Sequence, residues 1–499
     1  MAAALRKATA ALTLLLAGCA VGPDFTKPAP PQADYTPKPL PAATASADVA
    51  GGEAQRFVRG LDIPGQWWTL FHSEALSQLI DQALKTNPNL TAAQAALRVA
   101  QENVLAQQAA FWPSLSGNLT PSRSKVATGT ITPTAASGGA YLTLYTAQLS
   151  VSYAPDVFGL NRRTVEGLEA QAEVQRFQLE ATYLTLTANL VAAAVQEASL
   201  RAQIAATTEI IDIESQLLDL LQRQYALGQI ADADVVAQRA ALAQAQASLP
   251  PLKKQLTIER DLLTALAGRF PSDEVQQHFE LADLTLPQAL PVSVPSALVE
   301  QRPDLRAAEA NLHAASAAIG VAIANRLPNV TLTADAGTSA TTLDRLFTPG
   351  TGFWDLAASV TQPIFQGGAL LHRERAARAA FNQAEAQYRG AAITAFQNVA
   401  DALHALDLDA DALQASVTAE RAAAESLEIA RRQLQLGAIS YLTLLNAQQT
   451  YQQARINLVL AQANRFADTA ALFQALGGGW WNRQDLAAEA DGGRRASAP

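Results

Sequence analysis

Five histidines, His72, His278, His313, His372 and His404, and one cysteine, Cys19, are the side chains most able to carry nucleophilic or metal chemistry here. The histidines are scattered, with no metal-ligand spacing among them. No phosphate-binding glycine loop, GxSxG elbow or CxxC pair occurs. They read as isolated surface or packing residues, so no metal, no cofactor and no enzymatic reaction is expected. Cys19 is different. Arg6 and Lys7 precede an apolar run to Leu16, followed by Leu16-Ala17-Gly18-Cys19. This is the pattern of a short secretory signal ending in small residues before a cysteine, and its apolar run is too short to span a bilayer. The expected chemistry is acylation, with a diacylglyceryl group on the Cys19 thiol and an acyl group on the freed amine. The alternative is an ordinary signal peptide with an incidental cysteine.

A lipidated Cys19 leaves no disulfide within the chain, so stability must come from packing and assembly. Ala20 follows it rather than an aspartate of the kind that holds such proteins at an inner membrane, which favours an outer one. The net charge of −9 argues against nucleic acid as a partner. After the signal there is no stretch of 18 apolar residues, so any membrane crossing is expected to use strands.

The chain states itself twice. QRQYALGQIADADVVAQRA at 222–240 answers to RRQLQLGAISYLTLLNAQQ at 431–449, with Gly228 against Gly437. NPNL at 87–90 answers to RPDL at 302–305, and WPSL at 112–115 to LPNV at 327–330. Two copies of a unit of roughly 210 residues are implied. The expected organisation is a signal at 1–18, a lipid-anchored extended tether at 19–62, repeat 1 at 63–280, repeat 2 at 281–481 and a disordered tail at 482–499.

No proline falls between Pro155 and Pro250, or between Pro363 and the terminal Pro499, and both windows are rich in good helix formers. The first predicts a helix from about Leu160 to Leu227, roughly 100 Å long. Val235, Leu242, Leu249, Leu256 and Leu263 recur every seven residues, as do Leu444, Tyr451, Leu458 and Leu472, with Arg465 as the one break. A seven-residue apolar repeat implies left-handed coiled-coil packing. Gly228 and Gly437 each end a long helix, and Asp232 and Ser440 are the capping candidates for the next. The repeated motif is thus the tip of a long antiparallel helical hairpin.

Strands are predicted where helix signals fail, at about 114–122, 141–153, 329–337 and 353–362. Trp354, Leu356, Ala358 and Val360 alternate with polar or small residues, as in a barrel wall between lipid and water. The intervening loops are Gly-, Thr- and Ser-rich and suit an extracellular surface. Closing a barrel takes about eight strands, and open edges are not tolerated in lipid. The barrel must therefore be shared between chains. Three chains giving twelve strands leave a pore, whereas two giving eight close with little lumen.

The motifs VGPDF (21–25), WWTLFHSEALSQLIDQAL (67–84), TQPIFQGG (361–368), YLTLLNAQ (441–448) and ALGGGW (475–480) make the chain resemble the outer-membrane efflux channels of the TolC and OprM type, in their lipoprotein (NodT-like) branch. The resemblance covers almost the whole mature chain. It implies an α+β membrane protein: a trimeric twelve-stranded outer-membrane β-barrel, four strands per chain, continued by a long periplasmic α-helical barrel with an internal two-fold repeat. It implies a homotrimer partnered by a periplasmic adaptor and an inner-membrane pump, often of the proton-driven resistance-nodulation-division class.

By the same resemblance, the tips at Gly228 and Gly437 are the periplasmic end where adaptor hairpins dock. Leu442 matches an apolar ring at the constriction, resistant to wetting. Asn446 matches a position that is an aspartate in well-known members. Asp234 matches a position making gate-holding polar contacts in some relatives, with Asp232 close by. Simpler roles stay open: Asp232 as a helix cap, Asn446 as a surface amide, Leu442 in helix packing and the glycines in turns alone. Two other functions share parts of this pattern, an exit duct for a peptide or protein exporter and a periplasmic coiled-coil scaffold.

Overall fold

A computed structural model describes residues 20–125 and 141–483. The signal at 1–18, Cys19, the loop at 126–140 and residues 484–499 lie outside the described residues. Two compact units are formed. The first comprises Met1–Pro28, Ala96–Gln175 and Ala308–Tyr388, and the second Ala29–Ala95, Arg176–Ala307 and Arg389–Pro499.

In the first unit, β2 (Ser114–Lys125), β3 (Tyr141–Tyr153), β5 (Asn329–Ala340) and β6 (Gly352–Thr361) form one antiparallel sheet in the order β2-β3-β5-β6. Side chains alternate along each strand, and the register sorts them by chemistry. Leu115, Val151, Ala334 and Leu356 make one apolar rung across all four strands. The adjacent rung is polar, with Ser116, Ser150, Asp335 and Asp355. The apolar face is bare: Trp354 is 75% exposed, and Leu115, Leu119 and Val360 are also open. β2 and β6 have no neighbour on their outer edges among the described residues.

Residues 20–25 do not hang free in this unit. Val21 N–H donates to Phe158 O at 3.2 Å, and Arg163 Nη2 donates to Asp24 Oδ1 at 2.7 Å. Phe25 stacks on His313 at 4.4 Å. Gly22, at φ +101°, lies so close to the helix at Gly320 that a Cβ would come within 2.5 Å of the Gly320 Cα.

The second unit is largely helical. Long hairpins join α3 (Leu160–Ala226) to α4 (Asp232–Leu266), and α7 (Ala369–Gln435) to α8 (Tyr441–Ala475), with α3 up to Gln175 and α7 up to Tyr388 belonging to the first unit. The paired helices are 67 and 35 residues long in both repeats, so the duplication survives in the geometry. α4 runs unbroken through Pro250 and Pro251, whose ring faces are exposed. The shorter helices are α1 (Glu74–Thr86), α2 (Pro88–Gln108), α5 (Pro295–Gln301) and α6 (Pro303–Ala324). α6 is the one helix among the described residues long and apolar enough to cross a membrane by composition, with a mean hydropathy of 1.2. It is instead a packing helix, burying Leu305, Leu312, Ala317 and Ile319 within the protein.

The expected tether at 19–62 is corrected by the rest of the N-terminal segment. β1 (Arg56–Arg59) pairs in parallel with β4 (Ala289–Val292). Before it, Thr44 and Gln55 are buried against α8, and Arg465 explains its break in the apolar repeat. Its guanidinium is fully buried and donates to Gln55 Oε1 at 2.8 Å, Glu53 O at 3.2 Å and Leu406 O at 3.3 Å. The cation supplies donors to a chain segment that crosses the helices there. At the other end, Asn482 Nδ2 donates to Asp62 Oδ2 at 2.8 Å and Arg483 Nη1 to Glu180 Oε2 at 2.6 Å. The ordered body therefore includes the first two residues of the expected tail.

Candidate channel mouth

The two hairpin tips share one turn geometry. Gly228 N–H bonds to Tyr225 O and Gln229 N–H to Gln224 O; Gly437 N–H bonds to Leu434 O and Ala438 N–H to Gln433 O. This is the pairing of a Schellman turn, which satisfies the last helical carbonyls and needs a left-handed residue. Both glycines supply it, at φ +74° and +69°, and a Cβ placed on either would meet nothing within 4 Å. Their turn role is filled and their surface is open.

The following helices start differently. Ser440 caps α8, its Oγ accepting from Thr443 N–H at 3.4 Å. Asp232 does not cap α4: the cap position is Ala231, without a side-chain bond, and Asp232 is the first helical residue. Asp232 and Asp234 instead place two carboxylates in the first turn of α4, where the positive end of the helix dipole favours them. Asp232 is exposed and Asp234 half-buried, and neither forms an ion pair within the chain among the described residues.

Behind the tips, Leu221, Val235, Leu427, Ala430, Tyr441 and Leu444 form one apolar cluster from all four helices. A polar chain runs through it that sequence inspection missed. Gln238 Nε2 donates to Glu214 O at 2.8 Å and Glu214 Oε2 at 2.5 Å, and the Tyr441 hydroxyl donates to Gln238 Oε1. The bonds thus join α3, α4 and α8, tying hairpin to hairpin. Burial pushes the Glu214 carboxyl up, opposed by the Gln238 amide and by Arg431. Burial also pushes the Tyr441 hydroxyl up, reinforced by the negative charges of Glu214 and Asp234. The signal was present: Gln238 lies three residues after Val235 and Tyr441 three before Leu444, both on the heptad seam.

Leu442 and Asn446 lie together on the opposite face of α8, one helical turn apart. Leu442 is 62% exposed. Asn446 lines an open groove of about 610 Å³ with Ser416, Gln449, Thr450, Gln453 and Asn457, all uncharged. The tip therefore presents an apolar side chain and then amides on its free face, with carboxylates on the neighbouring hairpin. No group of three or more potential metal ligands occurs among the described residues.

A sheet with one apolar face, two unpaired edges and long doubled hairpins defines a membrane channel subunit. The chain belongs to the outer membrane efflux protein family, whose model matches residues 79–269 and again 294–478. The two matched spans coincide with the two repeats. The chain is 29% identical over 477 residues to the toluene efflux pump outer membrane protein TtgC of Pseudomonas putida, covering 95% of each. It is 29% identical over 448 residues to the pyoverdine export outer membrane protein OpmQ of Pseudomonas putida, covering 89% of this chain and 94% of that one. Among solved structures, the outer-membrane channel OprN superposes with a TM-score of 0.82 at 25% identity, covering 93% of this chain and all of the other. The protein is thus an outer-membrane efflux channel with a long periplasmic extension, four strands of each chain entering a β-barrel continued by a helical barrel.

Proposed function

We propose that three copies assemble into a passive exit duct, fed by a periplasmic adaptor and an inner-membrane pump of the resistance-nodulation-division class. The observation that carries this reading is the four-stranded sheet, apolar on one face and open at both edges. Every backbone group in lipid must be paired, so β2 of one chain must meet β6 of the next. Twelve strands leave a lumen that eight would fill. A coiled-coil scaffold has no use for such a sheet.

At the periplasmic end, the open tips at Gly228 and Gly437 are where adaptor hairpins dock. Leu442 and Asn446 from three chains converge on the axis to form the constriction, and Asp234 and Asp232 face the neighbouring subunit around it. Cys19 carries the lipid, a covalent group on a chain that binds no cofactor. Substrates resemble those in the relatives' names, toluene and pyoverdine, with selection made by the pump.

Light scattering on the detergent-extracted protein, corrected for bound detergent, tests the assembly. A mass of three chains is expected, and a stable monomer overturns the shared barrel. Cys19→Ser is expected to abolish palmitate labelling, and persistent labelling refutes the lipid assignment.

A further inference from the structure

Two cations break the apolar face of the sheet. β2 pairs with β3 without a bulge from Ser114 to Lys125, so Arg123 and Lys125 point to the same side as Leu115 and Leu119. Leu142 and Leu144 take the opposite side, as the unbroken register requires. Both cations gather on one ring, with the Arg123 guanidinium 5.6 Å and the Lys125 ammonium 5.7 Å from the centre of Tyr141. All three side chains are exposed. Neither cation forms an ion pair among the described residues. The adjoining sequence VATGTITPTAASGGA contains no acidic residue. Among the described residues of the chain these charges have no counter-ion.

Their height on the strand supplies one. Leu115, the first apolar residue of this face, marks its near end. From Leu115 to Lys125 is about 33 Å of extended chain, which rises about 25 Å at a tilt of roughly 40°. That is the height of the outward apolar band of a membrane barrel. Arg123 and Lys125 therefore stand at the far headgroup level, beside an aromatic residue of the kind enriched there. Aliphatic stems on the apolar face with charges at its rim suit side chains that reach from lipid toward headgroups.

We propose that Arg123, Lys125 and Tyr141 form a binding site for a phosphate-monoester lipid in the outer leaflet. A phosphate monoester carries a charge of about −1.5 to −2 near neutrality, matching two cations. A phosphodiester headgroup carries one charge and leaves one cation unmatched. The fork of Arg123 grips two phosphate oxygens while Lys125 supplies a point charge, and Tyr141 holds both in place by cation–π attraction. The site rests on the barrel orientation given under the proposed function.

Native mass spectrometry of the detergent-extracted channel, titrated with diphosphorylated lipid A or with phosphatidylglycerol, tests it. Wild type is expected to retain lipid A, and Arg123→Gln/Lys125→Gln to lose at least about tenfold in apparent affinity, consistent with two charge-assisted contacts. Lys253→Gln/Lys254→Gln, which removes the same charge on α4, is expected to behave as wild type. If the double variant does not assemble, the single variants Arg123→Gln and Lys125→Gln are expected each to weaken binding. Equal lipid A retention by wild type and the variants overturns the site. Equal binding of phosphatidylglycerol, lost in the same variants, overturns the monoester assignment. The spectra also report assembly mass, so trimers without lipid refute this site, whereas monomers refute the shared barrel.

Discussion

Tyr441→Phe removes one hydroxyl from the bond chain behind the hairpin tips and leaves the Gln238 carbonyl oxygen without its donor. Gln238 is 0% exposed, so water does not replace it. Rotating the amide gives no relief, because that turns its oxygen toward the Glu214 carboxylate and backbone carbonyl that the nitrogen now contacts. A stranded buried acceptor costs about 1–3 kcal/mol. With relaxation blocked, about 2 kcal/mol is expected, roughly a thirtyfold shift toward a separated tip. Because the bonds join α4 to α8, the loss should weaken the contact between hairpins rather than either hairpin alone. Amide hydrogen exchange on the assembled channel reads this directly: protection around Val235–Gln238 and Leu444–Gln448 should fall about thirtyfold, by that same arithmetic, with the helix midpoints unchanged. Gln238→Met tests the coupling. If the three groups act as one chain, the double variant with Phe at 441 costs less than the two single changes together. Exchange at both segments within about twofold of wild type in Tyr441→Phe refutes the clasp, since a net effect that small is under 0.5 kcal/mol.

Asp468 is pushed up to about 7 by burial, with the hydrogen bond and charge of Asp409 adding to it and Arg465 opposing. A carboxyl whose folded pKa is raised stabilises the fold at low pH and loses that contribution as pH rises through about 7. Thermal melting should therefore be higher at pH 5.5 than at pH 8.5, and Asp468→Asn should flatten the difference; an unaltered slope in the variant removes Asp468 as its source. Gly22→Ala should release the N-terminal segment, since a Cβ there would lie 2.5 Å from the Gly320 backbone at a φ of +101°. Protease cleavage near residue 24, absent in wild type, is the expected readout, and resistance equal to wild type counts against the clash. Asn446→Asp places one carboxylate per chain in the amide groove of α8 and should raise cation preference in bilayer recordings; an unchanged reversal potential means Asn446 does not face the pore.

How much of this was legible in the sequence depended on whether a feature was local or long-range. The glycines at 228 and 437 announced their turns because only a left-handed residue closes a Schellman pair, and the strands announced themselves by alternation. Arg465 was legible only as a break in the heptad. Its cause, the backbone carbonyl of Glu53 and the amide of Gln55, lies some four hundred residues away and leaves no periodic trace. For the same reason residues 20–62 looked like a tether: Pro-rich chain without periodicity can be free or strapped to helices, and only its partners distinguish the two. Asp232 failed as a cap although its type fits, because the chain entered α4 one residue earlier at Ala231.

That displacement bears on how a duplicated chain makes an asymmetric mouth. Copy one enters its returning helix through Ala231 and then Asp232 and Asp234, and copy two through Ser440 and then Tyr441 and Leu442. The turns before them are the same, so the scaffold holds both sets at equivalent places in the two hairpins. Identical hairpins would meet their neighbours through one repeated head-to-tail contact, with the same pair of surfaces at every junction. Divergence instead lets a buried donor on one hairpin, Tyr441, reach an acceptor on the other, Gln238, while Leu442 turns to the open face. The preserved glycines set where the hairpins end, and the unmatched residues after them determine which side chains are buried between the hairpins and which meet solvent.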